Sequence, residues 1–403
     1  MKFKLKLRRC LGKPQTKSTR ELDGPQSTMA NNTLPQIPQP PEHTEARVLQ
    51  SMKRNKGKVT SHYKLGQVLG TGGFAVVRHA IHKATGEEVA CKIMKLPRAD
   101  ETDPEAIPRE DIFKEIEIVS RANNAYVVCM KEFFVGKKKV YIMMDLMRGG
   151  MLLDGLLNSE DQHYTEKDAR QIFHQLLQGL SYLHARNVIH RDLKLENVLM
   201  VRKGDISHIK IVDFGLAKHT IGTAKTVCGT PQFVAPEVIK HSSKEHGKPV
   251  DMWSAGVVLF MLLGGYPPFY DQVEQVMFQK IEVAEFSFDD PVWDQVADSA
   301  KDLICKCFIL DPGARITVEE ALQHPWFSER LENAPLSEAK QNLVKNKEKM
   351  QKFRKVVLAI QAMNRMGMGG FNQSDFAPSD EEGSVEDSYN IKAIPKVESG
   401  PSQ

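Results

Sequence analysis

Two carboxylates and a carboxamide stand close together in the middle of this chain. Asp192 and Asn197 lie in the run His190-Arg191-Asp192-Leu193-Lys194-Leu195-Glu196-Asn197, and Asp213 opens Asp213-Phe214-Gly215. Carboxylate and amide oxygens are hard ligands suited to Mg²⁺, and a carboxylate beside them can orient a hydroxyl. The spacing is the one used to transfer a phosphoryl group onto a hydroxyl, a reaction governed more by positioning and charge neutralisation than by covalent chemistry.

Three further segments stand in the same order along the chain. Gly70-Thr71-Gly72-Gly73-Phe74-Ala75-Val76-Val77 is a glycine-rich turn whose backbone N–H groups can approach phosphate oxygens without side-chain obstruction. Val89-Ala90-Cys91-Lys92 follows one strand later with a flexible cation, and Ala235-Pro236-Glu237 lies beyond the carboxylates. Together they resemble the motifs of eukaryotic protein kinases, H-R-D-L-x-x-x-N, D-F-G, G-x-G-x-x-G-x-V and A-P-E. The resemblance covers roughly residues 60 to 366 and is closest to the calcium/calmodulin-dependent protein kinase family.

That resemblance implies an α+β, bilobal protein-kinase fold with a small, mostly antiparallel-sheet lobe and a larger, mostly helical one. It also implies an ATP-dependent serine/threonine kinase with ATP and Mg²⁺ as cofactors. Gly70, Gly72, Ala75 and Val77 would cover the nucleotide; Ala75 replaces the family's third glycine, and Gly73 beside it restores some freedom. Lys92 is expected on the α- and β-phosphates, oriented by Glu115; Glu117 is the rival, but residues i and i+2 face apart on a helix. Asp192 would orient or deprotonate the hydroxyl, Lys194 would offset charge on the transferred group, and Asn197 and Asp213 would hold Mg²⁺. His190 reads as a packing residue. Asp145 and Met147 would offer backbone groups to adenine, with Met144 limiting access behind it. Lys194 and Thr230 resemble the serine/threonine branch rather than the tyrosine branch, and Glu237 is expected to pair with Arg315. Met151 stands where the family commonly has Glu, which predicts a weaker hold on ribose and on a substrate arginine; Asp154 and Glu196 remain to attract such a residue. The contrasting reading is a pseudokinase interaction module, disfavoured by the presence of Lys92, Glu115, Asp192, Asn197 and Asp213.

Two features suggest a switch. A phosphate on Thr226 would carry about −1.5 to −2 charges and recruit Arg191, ordering the loop between Asp213 and Glu237; it could be added by the enzyme itself or by an upstream kinase. Beyond the core, residues 340 to 366 are basic, and a helix there would place Phe353, Val357, Ile360 and Met366 on one broad apolar face. Three readings stay open for this segment: a calcium–calmodulin target that otherwise covers the cleft, a helix docked permanently on the core, and a membrane-surface contact. A kinase regulated independently of calmodulin is the alternative for the whole chain. No twelve-residue calcium loop is evident, so calcium sensing would come from a partner.

Positioning these residues requires strands over residues 63 to 93, a helix over 109 to 121 and a strand over 140 to 146. Helical spacing follows at 166 to 184, 250 to 263, 296 to 310 and 317 to 323. The expected division is a basic arm and Pro-rich linker over 1–60, largely disordered; a kinase domain over 61–327; an autoregulatory, calmodulin-binding segment over 328–368; and an acidic disordered tail over 369–403.

The 403 residues carry a net charge of only +4, with no finger, stacking-sheet or recognition-helix pattern, so nucleic acid is not expected as a partner. The six cysteines show neither a disulfide framework nor metal-ligand spacing, which fits a reducing cytoplasmic setting with nuclear access. No apolar run reaches membrane-spanning length. The basic start could touch anionic lipid, with Cys10 as an acylation site, or remain a solvated arm; Lys2 excludes N-myristoylation. Protein substrates and a monomeric state complete the expectation.

Overall fold

The computed structural model describes residues 48–346 except 52, 72–74, 98–107, 159–163, 214–230, 241–246 and 333. Six strands form the first sheet: β1 (Arg54–Asn55), β2 (Tyr63–Thr71), β3 (Ala75–His82), β4 (Glu88–Lys95), β5 (Met130–Val135) and β6 (Lys139–Asp145). Their spatial order is β1-β5-β6-β4-β3-β2, antiparallel throughout except for the parallel β1–β5 pair. Between β3 and β4, Gly86 turns the chain with φ at 72°, a left-handed conformation that glycine adopts without a Cβ clash.

One helix completes this lobe, after the short turn α1 (Val59–His62). α2 (Arg109–Arg121) has Glu110 and Asp111 in its first turn and Arg121 in its last, matching the helix dipole. Its apolar stripe of Ile112, Phe113, Ile116 and Val119 packs in one cluster with Met130, Phe133, Val140 and Ile142 of β5 and β6. The opposite face of the sheet buries Val89, Cys91, Phe134 and Met143 with Val59 and Tyr63. Alternation along each strand thus gives two small cores, and Lys92 shares the face of the first.

A three-stranded sheet follows, β7 (Gly150–Met151), β8 (Val198–Met200) and β9 (Ile209–Ile211), with α3 (Leu152–Asn158) leading out of β7. The helical lobe comprises α4 (Glu166–His184), α5 (Pro236–Ile239), α6 (Pro249–Gly264), α7 (Glu274–Glu282), α8 (Asp298–Cys307), α9 (Val318–Leu322) and α10 (337–346). Capping boxes at Thr165/Asp168 and Thr317/Glu320 begin α4 and α9, satisfying N–H groups that lack intrahelical partners. α6 is apolar on all sides and runs through the lobe's core; Trp253 stacks on Phe269, and Phe260 packs on Trp293. No helix among the described residues is long and apolar enough to cross a membrane.

Two expectations change. Residues 48–60, read as linker, instead carry β1 and α1 and bury Val48 and Val59, because the open edge of β5 gives the chain a ladder of backbone partners. Residues 334–346, the first described part of the 328–368 stretch read as an autoregulatory segment separate from the kinase domain, pack on the helical lobe. Leu336, Ala339 and Leu343 are buried in its core, and Leu336 donates its N–H to Tyr164 O at 2.6 Å. Gly265, left-handed at φ 81°, caps α6, and a side chain there would collide with Ala339 O. Asn342 and Asn346 donate their amides to Gly264 O and Gly265 O at 3.3 and 3.2 Å. Residues 1–47 and 347–403, including Cys10, Phe353, Val357, Ile360 and Met366, lie outside the described residues.

Candidate active site

Lys92 is 2% exposed in the middle of β4. Its ammonium donates at 2.8 Å to Glu115 Oε1 on α2 and at 2.8 Å to Asp213 Oδ1 just past β9. Burial opposes the charge on Lys92, but the two carboxylates outweigh it and hold the ammonium above the ordinary lysine range. Burial raises Glu115, with Lys92 pulling back, whereas the Lys92 charge lowers Asp213. Glu117 forms an i,i+4 pair with Arg121 at 2.8 Å, so the two glutamates have separate partners.

The second group lies on the loop before β8. Lys194 Nζ donates to Asp192 Oδ2 at 2.7 Å, and Asn197 Nδ2 donates to Asp192 O and Oδ2 at 2.7 and 3.1 Å. With both amide hydrogens so directed, the side-chain oxygen of Asn197 is left as a hard acceptor. Val198 pairs with Ile211, and Val212 N–H bonds Asn197 O, so Asn197 and Asp213 extend from adjoining strand ends.

Asp251, on α6, supports this loop and was not among the residues singled out from the sequence. Its carboxylate accepts from His184 Nε2 at 2.8 Å, His190 N at 2.9 Å and Arg191 N at 2.8 Å. Burial would raise Asp251, but these donors and the His184 charge lower it. Arg191 and Asp213 sit at φ 66° and 59°, left-handed values that cost a side-chain-bearing residue about 1–3 kcal/mol and persist when neighbours enforce them. The signal was present: Asp251 is the sole acidic or basic residue in an otherwise apolar helix, and a charge buried there needs partners.

His190 Nε2 faces the carbonyl of Val212 at 3.0 Å, and Nδ1 faces the N–H of Asp192 at 3.3 Å. With Nε2 directed at a carbonyl and Nδ1 at an N–H, His190 has a bracing role. Glu237 and Arg315 form a two-pronged pair at 2.7 and 3.0 Å, with the guanidinium also on Pro249 O and over the Trp253 ring. Asp145 receives Lys210 Nζ at 3.0 Å and gives its own N–H to Cys129 O. Met147, two residues on, accepts Gly150 N–H at 3.3 Å through its carbonyl. Glu196 Oε2 is buried without a hydrogen-bond partner among the described residues. Gly72, Thr226 and Thr230 lie outside the described residues.

These surroundings suit a nucleotide with a divalent cation. A side chain added at Gly70 would meet no described residue within 4 Å, so none of them claims the space beside that end of β2. Val77 lies directly opposite Lys92 in the β3–β4 register, beside that space. No cluster of three His, Cys, Asp or Glu side chains among the described residues could hold a metal alone. The donors present, Asp213 and the Asn197 oxygen, are of the kind Mg²⁺ uses, one or two carboxylates or amides together with phosphate oxygens and water. The open groove of about 390 Å³ lined by Lys167, Arg170, His174 and Phe327 is on α4, away from this chemistry.

A sheet lobe and a helical lobe that meet where one lysine is held by a carboxylate from each define a protein kinase fold. Residues 63–327 match the protein kinase domain family, and the chain belongs to that family. It is 38% identical over 307 residues to the calcium/calmodulin-dependent protein kinase type 1 of Macrobrachium nipponense, covering 73% of this chain and 86% of that one. It is 32% identical over 353 residues to the human calcium/calmodulin-dependent protein kinase type IV, covering 85% and 72%. The probable serine/threonine-protein kinase fhkC of Dictyostelium discoideum is 38% identical over 276 residues; they cover 68% of this chain, which spans only 45% of that protein.

Proposed function

We propose that the chain is an ATP- and Mg²⁺-dependent protein kinase that phosphorylates serine or threonine hydroxyls of protein substrates. The observation that carries this reading is Lys92 bonded at once to Glu115 and Asp213, across from the Asp192–Lys194–Asn197 group. ATP would supply the phosphoryl group, and Mg²⁺ would neutralise its phosphates. Lys92 binds the α- and β-phosphate oxygens, with Glu115 fixing its direction. Asp213 and the Asn197 oxygen would hold the cation. Asp192 aligns the hydroxyl and takes its proton late in the transfer, because the loose transition state needs little nucleophile activation. Lys194, already on Asp192, spreads its charge over the moving group. Asp145 O and Met147 would meet adenine, with Val77 covering it. Labelled γ-phosphate should pass to protein serine or threonine and fail to do so in D192A and D213A; normal turnover in both purified variants would overturn the reading.

Calcium–calmodulin is the proposed activator. Support comes from the cationic, apolar-faced sequence of residues 352–366, and from similarity to relatives named as calmodulin-dependent. Binding would bury Phe353, Val357, Ile360 and Met366, while a phosphate on Thr226 would engage Arg191. Calorimetry on residues 340–366 and kinase assays with and without calcium–calmodulin test this: no binding and no activation would remove the regulation and leave the kinase reading in place. The unpartnered Glu196 oxygen suits a basic substrate residue, whereas Met151 offers it no charge, so M151E should strengthen selection for arginine. A cytoplasmic location with nuclear access, a monomeric state and weak lipid contact through the basic arm belong to the same proposal.

A further inference from the structure

We infer that residues 48–57, which precede the family match, are a brace that positions α2 and through it Glu115. Val48, 4% exposed, belongs to the apolar cluster that contains Ile112, Phe113, Ile116 and Val119 of α2, with Leu49 packed against it. The segment is tied to β5, the strand on which α2 rests. Arg54 and Asn55 pair with Phe133 and Phe134, and Phe133 N donates to Lys53 O at 2.9 Å. Lys53 Nζ donates to Met130 O at 2.9 Å, and Arg54 Nη1 folds back onto Leu49 O at 2.9 Å. Glu132 acts as a clasp: one oxygen accepts Asn55 Nδ2 at 2.9 Å and the other Tyr63 Oη at 2.7 Å.

The consequence lies in Glu115. It reaches Lys92 across the gap between α2 and β4, and a small displacement of α2 breaks that buried pair. Val48 touches neither nucleotide nor substrate, so it is a positioning residue that acts by closing the apolar cluster behind α2. The kinetic part of this inference rests on the phosphotransfer reading; the positional part does not.

The test compares the full chain with V48D, V48A and V48I, using hydrogen–deuterium exchange and steady-state kinetics. A carboxylate in the cluster is costly to bury, so V48D should open α2 locally. Exchange over residues 109–121 should rise about tenfold in V48D and less in V48A, with residues 166–184 unchanged and V48I like the parent. The kcat/KM for ATP should fall about tenfold, while the KM for a peptide stays within about twofold. Unchanged exchange over 109–121 in V48D would overturn the brace, as would an equal rise over 166–184, which signals general unfolding. Should V48D not fold, V48A against V48I decides on the same criteria. A parent chain without phosphotransfer would refute the kinase reading alone, leaving the exchange comparison to decide this one.

Discussion

Replacing Asp251 with Asn removes one negative charge and one acceptor from beneath the loop that carries Asp192. The carboxylate now serves three donors, two on Oδ2 and one on Oδ1. The best placement of the new amide keeps its oxygen toward His184 and His190 and turns its NH₂ toward the N–H of Arg191, donor against donor. One charge-assisted bond is lost, a buried N–H is stranded and two bonds weaken, together costing about 3 kcal/mol. The Arg191 N–H bond also helps hold that residue at φ 66°, so its loss lets the strained backbone relax and shifts Asp192. A displacement near 1 Å at a reacting group costs about 10²-fold. We therefore expect D251N to unfold about 3 kcal/mol more easily in urea and to lose about 100-fold in kcat, with the KM for ATP nearly unchanged because Lys92 is held elsewhere. H184A removes one Oδ2 bond and spares Arg191, so it should cost about 1–2 kcal/mol and far less kcat. A D251N protein within about 0.5 kcal/mol of the parent and with full turnover would refute this account of the loop.

Other substitutions probe separate contacts. Truncating either Arg315 or Glu237 leaves the other charge buried and should lower stability by about 3–5 kcal/mol, read by chemical denaturation; losses under about 1 kcal/mol would mean solvent reaches the pair. K92A should abolish transfer and, because it strands the buried Glu115 carboxylate, also lower stability by about 3 kcal/mol; a kinase assay and chemical denaturation check the two, and an unchanged stability would mean that water reaches Glu115. A chain ending at residue 333 should melt lower than one ending at 346, because it uncovers the surface now holding Leu336, Ala339 and Leu343; equal melting temperatures would contradict the docking. Asp213 and Asp251 are both held below their unfolded range of about 3.9, so the unfolded chain binds more protons below that pH. Their contribution is full above about pH 4 and is lost as pH falls through the folded values; D251N should show a shallower acid loss than the parent in urea titrations.

The clustering of the proposed phosphotransfer groups was legible because it is written locally. Asp192, Lys194 and Asn197 lie within six residues, and their mutual bonds follow from one tight loop. That Glu115 and Glu117 have different partners was readable from the helical period, but the choice of Glu115 for Lys92 came from family resemblance. The pairing of Glu237 with Arg315 came from family resemblance rather than from local pattern. Other contacts were harder to see. Arg54–Asn55 carries no strand periodicity, and its structure comes from the edge offered by β5. The three-residue strands β8 and β9 are too short for alternation to show. Residues 340–346 read as part of the basic stretch 340–366, because docking depends on a left-handed Gly265 and a groove that no local pattern reveals. Asp251 was visible as an anomaly in an apolar helix, but its partners lie about 60 residues upstream.

β1 also bears on solubility. With it in place, the outer side of β5 is hydrogen-bonded and the sheet ends on a two-residue strand. A chain trimmed to the family boundaries at residues 63–327 would instead end that side on Met130-Lys131-Glu132-Phe133-Phe134-Val135, a longer strand with two adjacent phenylalanines and open N–H and C=O groups. Such an edge is a template for another copy of itself, so the short N-terminal strand serves as a guard against strand-to-strand aggregation.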